Sequence, residues 1–152
     1  MNDREIKGIT AELLCQTEFI KRGYNVSIPI SSYCVYDFIV DINNNLYKVQ
    51  VKHSNKSKIG FSVSTTSSHL TSKGTTVKKY TSNDIDFICT YFDNNCYLIS
   101  VKEVENRSNI TLSLKNNWVN AHHLMIAECY LLDSQLNLIK DKVPYTHSIN
   151  YI

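Results

Sequence analysis

Tyr36-Asp37-Phe38-Ile39-Val40-Asp41-Ile42-Asn43-Asn44-Asn45-Leu46-Tyr47-Lys48-Val49-Gln50-Val51-Lys52 decides the fold. On either side of its asparagine run, apolar and polar residues alternate with period 2, and β-branched and aromatic types dominate. The asparagines between are turn formers, so the stretch reads as a β-hairpin. Closing the turn symmetrically about Asn43-Asn44 sets Asp37 opposite Gln50. Side chains alternate across a strand, so Tyr36, Phe38, Val40, Tyr47, Val49 and Val51 share one face. Asp37, Asp41, Lys48, Gln50 and Lys52 share the other. A carboxylate, an amide oxygen and a lysine thus converge on one patch of sheet, an arrangement able to hold a divalent cation and a water beside a phosphate.

Outward from the hairpin, residues 4–22 carry Ile6, Ile9, Leu13, Leu14 and Ile20 near helical spacing, and Gly23 stands where a helix ends. This segment is expected to be an amphipathic helix with those residues facing the core. Residues 24–30 read as a first strand. Residues 60–65 alternate and form a further strand. Residues 66–80 hold almost no apolar side chain and read as a mobile loop. A second hairpin is expected from residues 86–92 and 96–101, turning at Asp93-Asn94-Asn95, with another strand at 110–114. Residues 118–132 read as a helix whose faces include Val119, His122, His123, Met125, Ile126 and Tyr130. The tail 133–152 keeps enough apolar residues to pack on something, a second subunit included.

Several motifs in this order resemble the PD-(D/E)XK nuclease superfamily. Asp37 followed by Gln50-x-Lys52 resembles its catalytic signature, with Gln in place of the second acid. Gly8-Ile9-Thr10-Ala11-Glu12 and Arg22-Gly23-Tyr24-Asn25-Val26 resemble the opening of its small members. Tyr80-Thr81-Ser82-Asn83-Asp84-Ile85-Asp86-Phe87 and Tyr97-Leu98-Ile99 resemble the group I intron-encoded homing endonucleases with a Gln-x-Lys core. The resemblance covers roughly residues 5–101. It implies an α/β fold with the restriction-endonuclease-like core, a mixed β-sheet flanked by helices. It also implies Mg²⁺-dependent cleavage of double-stranded DNA at specific sites, with Mn²⁺ able to substitute. Within the same fold, Holliday-junction resolution and a catalytically inert DNA-binding role are the alternatives.

On this reading Asp37, the side-chain oxygen of Gln50 and the Val51 backbone carbonyl are the metal ligands. Glu12 assists from the helix, directly or through a metal-bound water. Lys52 orients the water or stabilises charge on the phosphate. Asp41 shares the face of Asp37 and is its rival; Asp37 is preferred because it faces Gln50.

The net charge of +2 conceals an asymmetry. Residues 42–83 contain Lys48, Lys52, Lys56, Lys58, Lys73, Lys78 and Lys79, with His53 and His69, and not one Asp or Glu. Such a one-sign stretch suits a polyanion, so Lys48, His53, Lys56, Lys58, Lys73, Lys78 and Lys79 are the candidate DNA contacts.

With 152 residues, 43% of them hydrophobic and 20% charged, the chain is expected to form one globular domain over 1–152. Residues 133–152 are a candidate oligomerisation tail, because so small a chain offers little surface for reading bases and is expected to act as a homodimer or homotetramer. Four glycines make no phosphate-cradling loop, which argues against a nucleotide cofactor. Five cysteines without a C-x-x-C pair read as small buried side chains in a reducing compartment, not as structural zinc. No signal-peptide pattern and no long apolar run are present, so the expected setting is intracellular, away from membranes and not secreted.

Overall fold

A computed structural model describes residues 1–115 and 125–142. Helix α1 (Asp3–Lys21) opens with a capping box. The Asn2 side chain accepts from the Glu5 backbone N–H at 3.0 Å, and the Glu5 carboxylate accepts from the Asn2 N–H at 2.9 Å. Gly23 closes the helix at φ +82°, a conformation open to a residue without Cβ.

The face α1 buries differs from the expected one. Ala11, Cys15, Gln16 and Phe19 are buried, while Ile6, Ile9, Leu13 and Ile20 are 45–58% exposed. The helix has two apolar stripes on opposite sides. The sheet takes the narrower one, because small Ala11 and Cys15 let the helix approach closely while Phe19 fills the gap edge-on against Phe38 at 5.6 Å.

The decisive hairpin forms in the expected register. Strands β2 (Phe38–Ile42) and β3 (Asn45–Val51) pair Phe38 with Val49 and Val40 with Tyr47, following β1 (Asn25–Ser27). Asn43 and Asn44 both take left-handed φ, 53° and 63°, the signature of the two-residue turn whose twist suits adjoining strands. Phe38, Val40, Val49 and Val51 point to the α1 side, whereas Tyr36 packs with the second core cluster on the other side. The chain next runs through β4 (Ser54–Lys56), β5 (Gly60–Ser64), β6 (Thr66–Thr71), β7 (Gly74–Lys79), β8 (Phe87–Phe92) and β9 (Asn95–Ser100). The β8–β9 turn repeats the device with Asp93 and Asn94 at φ 47° and 60°. The central sheet has order β1-β2-β3-β8-β9, antiparallel except for the β3–β8 pair.

A short helix α2 (Val101–Val104), β10 (Asn109–Ser113), β11 (Met125–Ile126), a 3₁₀ turn (Ala127–Tyr130) and α3 (Leu132–Lys142) complete the described chain. A second sheet of order β11-β10-β5-β4 covers the face of the central sheet that α1 leaves open. There Phe61, Val63, Ile110 and Leu112 meet Ile85, Ile88, Tyr97 and Ile99. The mixed sheet is therefore flanked by α1 and α3 on one side, and by the small sheet together with the short α2 on the other. Gly60 lets β5 and β10 approach: a Cβ there would run into the Leu112 carbonyl oxygen. Arg22 ties α1 to α3, bridging Glu18 at 2.6 Å and, through a paired contact, Asp133 at the start of α3.

Two further expectations are corrected. Residues 66–80 are not a loop; β6 and β7 make a separate two-stranded antiparallel hairpin. Polar Ser/Thr-rich strands can pair this way because backbone bonds alone satisfy them, which apolar periodicity does not register. Residues 125–131 are not α-helical: Met125 and Ile126 pair with Leu112 and Ser113, and Ala127–Tyr130 form a 3₁₀ turn. The proposed helical residues 118–124, His122 and His123 among them, lie outside the described residues, as does the tail beyond 142. Residues 132–142 form α3, burying Leu132, Gln135, Leu136 and Ile139 against the body of the protein.

Candidate active site

Asp37 stands just before β2, where the hairpin register delivers it to the end of β3. Its backbone N–H donates to the Val49 carbonyl at 2.9 Å. Its Oδ2 accepts from the Val51 N–H at 2.6 Å and from the Gln50 side-chain Nε2–H at 2.7 Å. The same amide nitrogen donates to the Val51 carbonyl at 3.1 Å. One N–H₂ group thus sits between the carboxylate and the carbonyl, the two oxygens expected to bind a cation. Rotating the amide about its last carbon–carbon bond would present Oε1 alongside them, giving three oxygens around one point. Asp41, four residues along, makes no such set: its Oδ1 is buried without a hydrogen-bond partner.

The electrostatics describe carboxylates short of positive charge. Burial pushes the Asp37 carboxyl above its ordinary pKa, against the Val51 N–H, Lys52 and Gln50, which favour the charged form. Glu12, half-buried on α1 within reach of Asp37, is likewise raised, by burial and then by repulsion from Asp37. Burial lowers the Lys52 ammonium from its usual value, opposed by Asp37 and reinforced by Arg4. Its Nζ lies 4.9 Å from the centre of the Tyr80 ring, whose phenol is pushed up to about 12 chiefly by burial.

Lys52 opens onto a cleft of about 640 Å³ bordered by Arg4, Lys7, Gly8, His53 and Asn55. Arg4 and Lys7 are absent from the charge run that singled out the basic segment, because they reach this wall from α1. Their spacing with Gly8 and Ala11 on one helix face is the signal that could have found them. A Cβ on Gly8 would meet nothing within 4 Å. The fold therefore does not require glycine there, and bare backbone borders the cleft.

The sequence-derived set divides on inspection. Asp37, Gln50, Val51, Lys52 and Glu12 come together, with exposed His53 on the adjoining wall. Lys56 and Lys58 line a separate concavity of about 430 Å³ beside Phe92 and Lys115. Lys48 reaches the Asn83 carbonyl at 3.1 Å. Lys73 stands exposed by the turn between β6 and β7; Lys78 is paired with Asp84 at 2.9 Å, and Lys79 donates to the Asn106 carbonyl at 2.9 Å.

The PD-(D/E)XK endonuclease family model matches residues 1–132. The chain belongs to that family. This PD-(D/E)XK protein resembles a bacterial homing endonuclease, I-Ssp6803I, with a TM-score of 0.75 and 26% identity, covering 92% of this chain and 96% of that one. Protein 5.3 of Escherichia phage T7 is 23% identical over 119 residues, 78% of this chain and 98% of the phage protein. PD-(D/E)XK nucleases generally use divalent metals. Two under-compensated carboxyls beside an amide and a carbonyl fit a hard cation. No helix among the described residues is long and apolar enough to cross a membrane.

Proposed function

We propose that this nuclease hydrolyses double-stranded DNA at specific sites with Mg²⁺, in the manner of a homing endonuclease. The observation that carries the reading is the convergence of Asp37, Gln50 and the Val51 carbonyl on one point, with Lys52 two residues away at the edge of a basic cleft. The structural likeness to a homing endonuclease supports the choice of DNA and of site-specific cutting.

Asp37, Gln50 Oε1 and the Val51 carbonyl would hold the ion, with Glu12 behind them. When bound, the cation supplies an activated water and compensates charge on the phosphate. Asp37 keeps the β2–β3 end rigid through its bond from the Val51 N–H. Arg4, Lys7 and His53 seat the phosphate backbone along the cleft wall. Lys52, held over Tyr80 and partly desolvated, delivers its charge to the scissile phosphate, where a buried cation acts with little screening. Having Gln rather than a second acid at position 50 removes one negative charge from the centre. Metal affinity should then lean on Glu12 and on the phosphate itself.

Assembly into a homodimer or homotetramer is part of the proposal. It is supported by the stripe Ile6, Ile9, Leu13 and Ile20, which α1 turns to solvent instead of to its own core.

The test is incubation with supercoiled and linear duplex DNA in Mg²⁺, Mn²⁺, Ca²⁺ or chelator. Discrete fragments with Mg²⁺ or Mn²⁺ and none with chelator are expected. Metal-independent cutting, or none against any duplex, would overturn the reading, and preference for a four-way junction would redirect it to junction resolution.

A further inference from the structure

Behind the candidate active site lies a cluster that the nuclease chemistry does not use. Cys15 of α1, Cys89 of β8 and Cys96 of β9 place their sulfurs within 4.8 Å of one another, with Cys89 and Cys96 at 3.4 Å. All three are buried. They come from three elements separated in sequence, so no spacing motif announces them. The packing of the narrow α1 face onto the β8–β9 hairpin brings them together.

We propose that this triad is an all-sulfur site for a soft monovalent metal ion, Cu(I) by its chemistry. Three thiolates bound to one ion at about 2.3 Å stand roughly 3.8–4.0 Å apart, for tetrahedral or trigonal angles. The Cys89–Cys96 separation of 3.4 Å falls a little short of that range and the other two lie within 4.8 Å, so shifts of a few tenths of an ångström to about one ångström would seat an ion among the sulfurs. Among the described residues no histidine, carboxylate or further cysteine joins the group. Three sulfurs without a fourth donor suit Cu(I) better than zinc, which closes its structural sites with four ligands. Magnesium prefers oxygen and is directed to Asp37 instead.

Burial first, and then the neighbouring thiols, hold Cys89 well above its ordinary pKa, and Cys15 is raised as well although its contact with Cys89 opposes this, so a metal must displace protons that the apolar surroundings retain. The neighbouring Cys15 and then Cys89 thiols draw the Cys96 thiol below its ordinary pKa, against the opposing effect of burial. Binding releases the remaining thiol protons to solvent, and the copper keeps its oxidation state.

The triad is tied to the catalytic strands. The Cys89 carbonyl accepts from the Lys52 N–H at 2.9 Å, and Cys89 is the register partner of Val51. Cys15 sits one helical turn beyond Glu12. An ion there would pin α1 to β8 directly behind the carboxylates.

The test uses the full chain with Cys34→Ser and Cys129→Ser, which removes the two thiols outside the triad. Cu(I) is supplied anaerobically against a competing chelator, and X-ray absorption reads the ligands. One ion per chain with three sulfurs and no nitrogen or oxygen is expected. Adding Cys89→Ser should weaken retention by at least about tenfold. No retained copper in the double variant, a site containing nitrogen or oxygen, or undiminished binding in a folded Cys89→Ser protein would overturn the site. Should Cys89→Ser not fold, the double variant decides alone. Neither DNA nor Mg²⁺ enters the measurement, so it stands or falls separately from the nuclease reading.

Discussion

Asp37 is the residue on which most depends. It accepts two hydrogen bonds at the end of β3 and is raised in pKa by burial, so its removal takes away the ligand without opening an apolar core. Asp37→Ala is expected to abolish cleavage while circular dichroism stays unchanged, and Asp41→Ala should retain cleavage. Near-normal cutting by Asp37→Ala would refute the assignment. For Lys52→Ala, single-turnover cleavage should fall roughly 10²–10³-fold with DNA affinity changed only modestly, since its charge is needed most in the transition state. A large binding loss with unchanged turnover would make Lys52 an ordinary phosphate contact. Glu12 yields a prediction about pH. A carboxyl whose folded pKa is raised favours folding while protonated, and that contribution is lost as pH rises through the folded value. Glu12→Gln should therefore raise the melting temperature of metal-free protein at neutral pH, with the gain vanishing below about pH 4. Equal melting curves at both pH values would show that Glu12 feels no cost.

Among the elements, the β6–β7 hairpin is the one whose behaviour remains most open to measurement. It pairs only with itself, and isolated two-stranded hairpins in water are marginally stable. Trypsin is expected to cut first at Lys73, and DNA should slow that cut if the hairpin grips the duplex. Protection elsewhere but not at Lys73 would place the hairpin off the DNA. Its lysines should also differ in salt response. Lys73 is exposed at the turn, whereas the pair Lys78–Asp84 is already partly neutralised, so Lys73→Ala should flatten the log K against log salt slope by about 0.9 and Lys78→Ala by less. The same element marks how far sequence reading goes. The β2–β3 and β8–β9 hairpins were legible because alternation, asparagine-rich turns and β-branched residues all agreed, and their register carried Asp37, Gln50 and Lys52 into place. The strands 66–71 and 74–79 were not, since Ser, Thr and Lys line both faces and no period separates inside from outside. The buried side of α1 was misread because two apolar stripes compete on it, and only the partner surface decides between them. Arg4 and Lys7 were missed for the related reason that a cleft draws on elements distant in sequence.

Taken whole, the molecule is a three-layer body whose first helix belongs to everything else. Phe19 of α1 is fully buried against Phe38 and Tyr24, so Phe19→Ala should cost about 3–5 kcal/mol in chemical denaturation. A loss under 1 kcal/mol would mean that α1 is not docked as described. The outward stripe yields a prediction about assembly. Leu13→Glu should shift the protein toward monomer in sedimentation while leaving the monomer folded, and an unchanged distribution would exclude α1 as the contact.

The dependence of α1 on later parts of the chain also has a temporal side. During synthesis α1 emerges before any of the strands it rests on. The sulfur neighbours of Cys15 arrive with β8 and β9, and Asp133, which clamps Arg22, arrives later still. At about 5–20 residues per second, the helix waits for several seconds before its partners exist. Glu12 is held in that interval on an undocked segment, away from Asp37. A ribosome-bound fragment therefore carries Glu12, Asp37, Gln50 and Lys52 before the body that brings them together has closed.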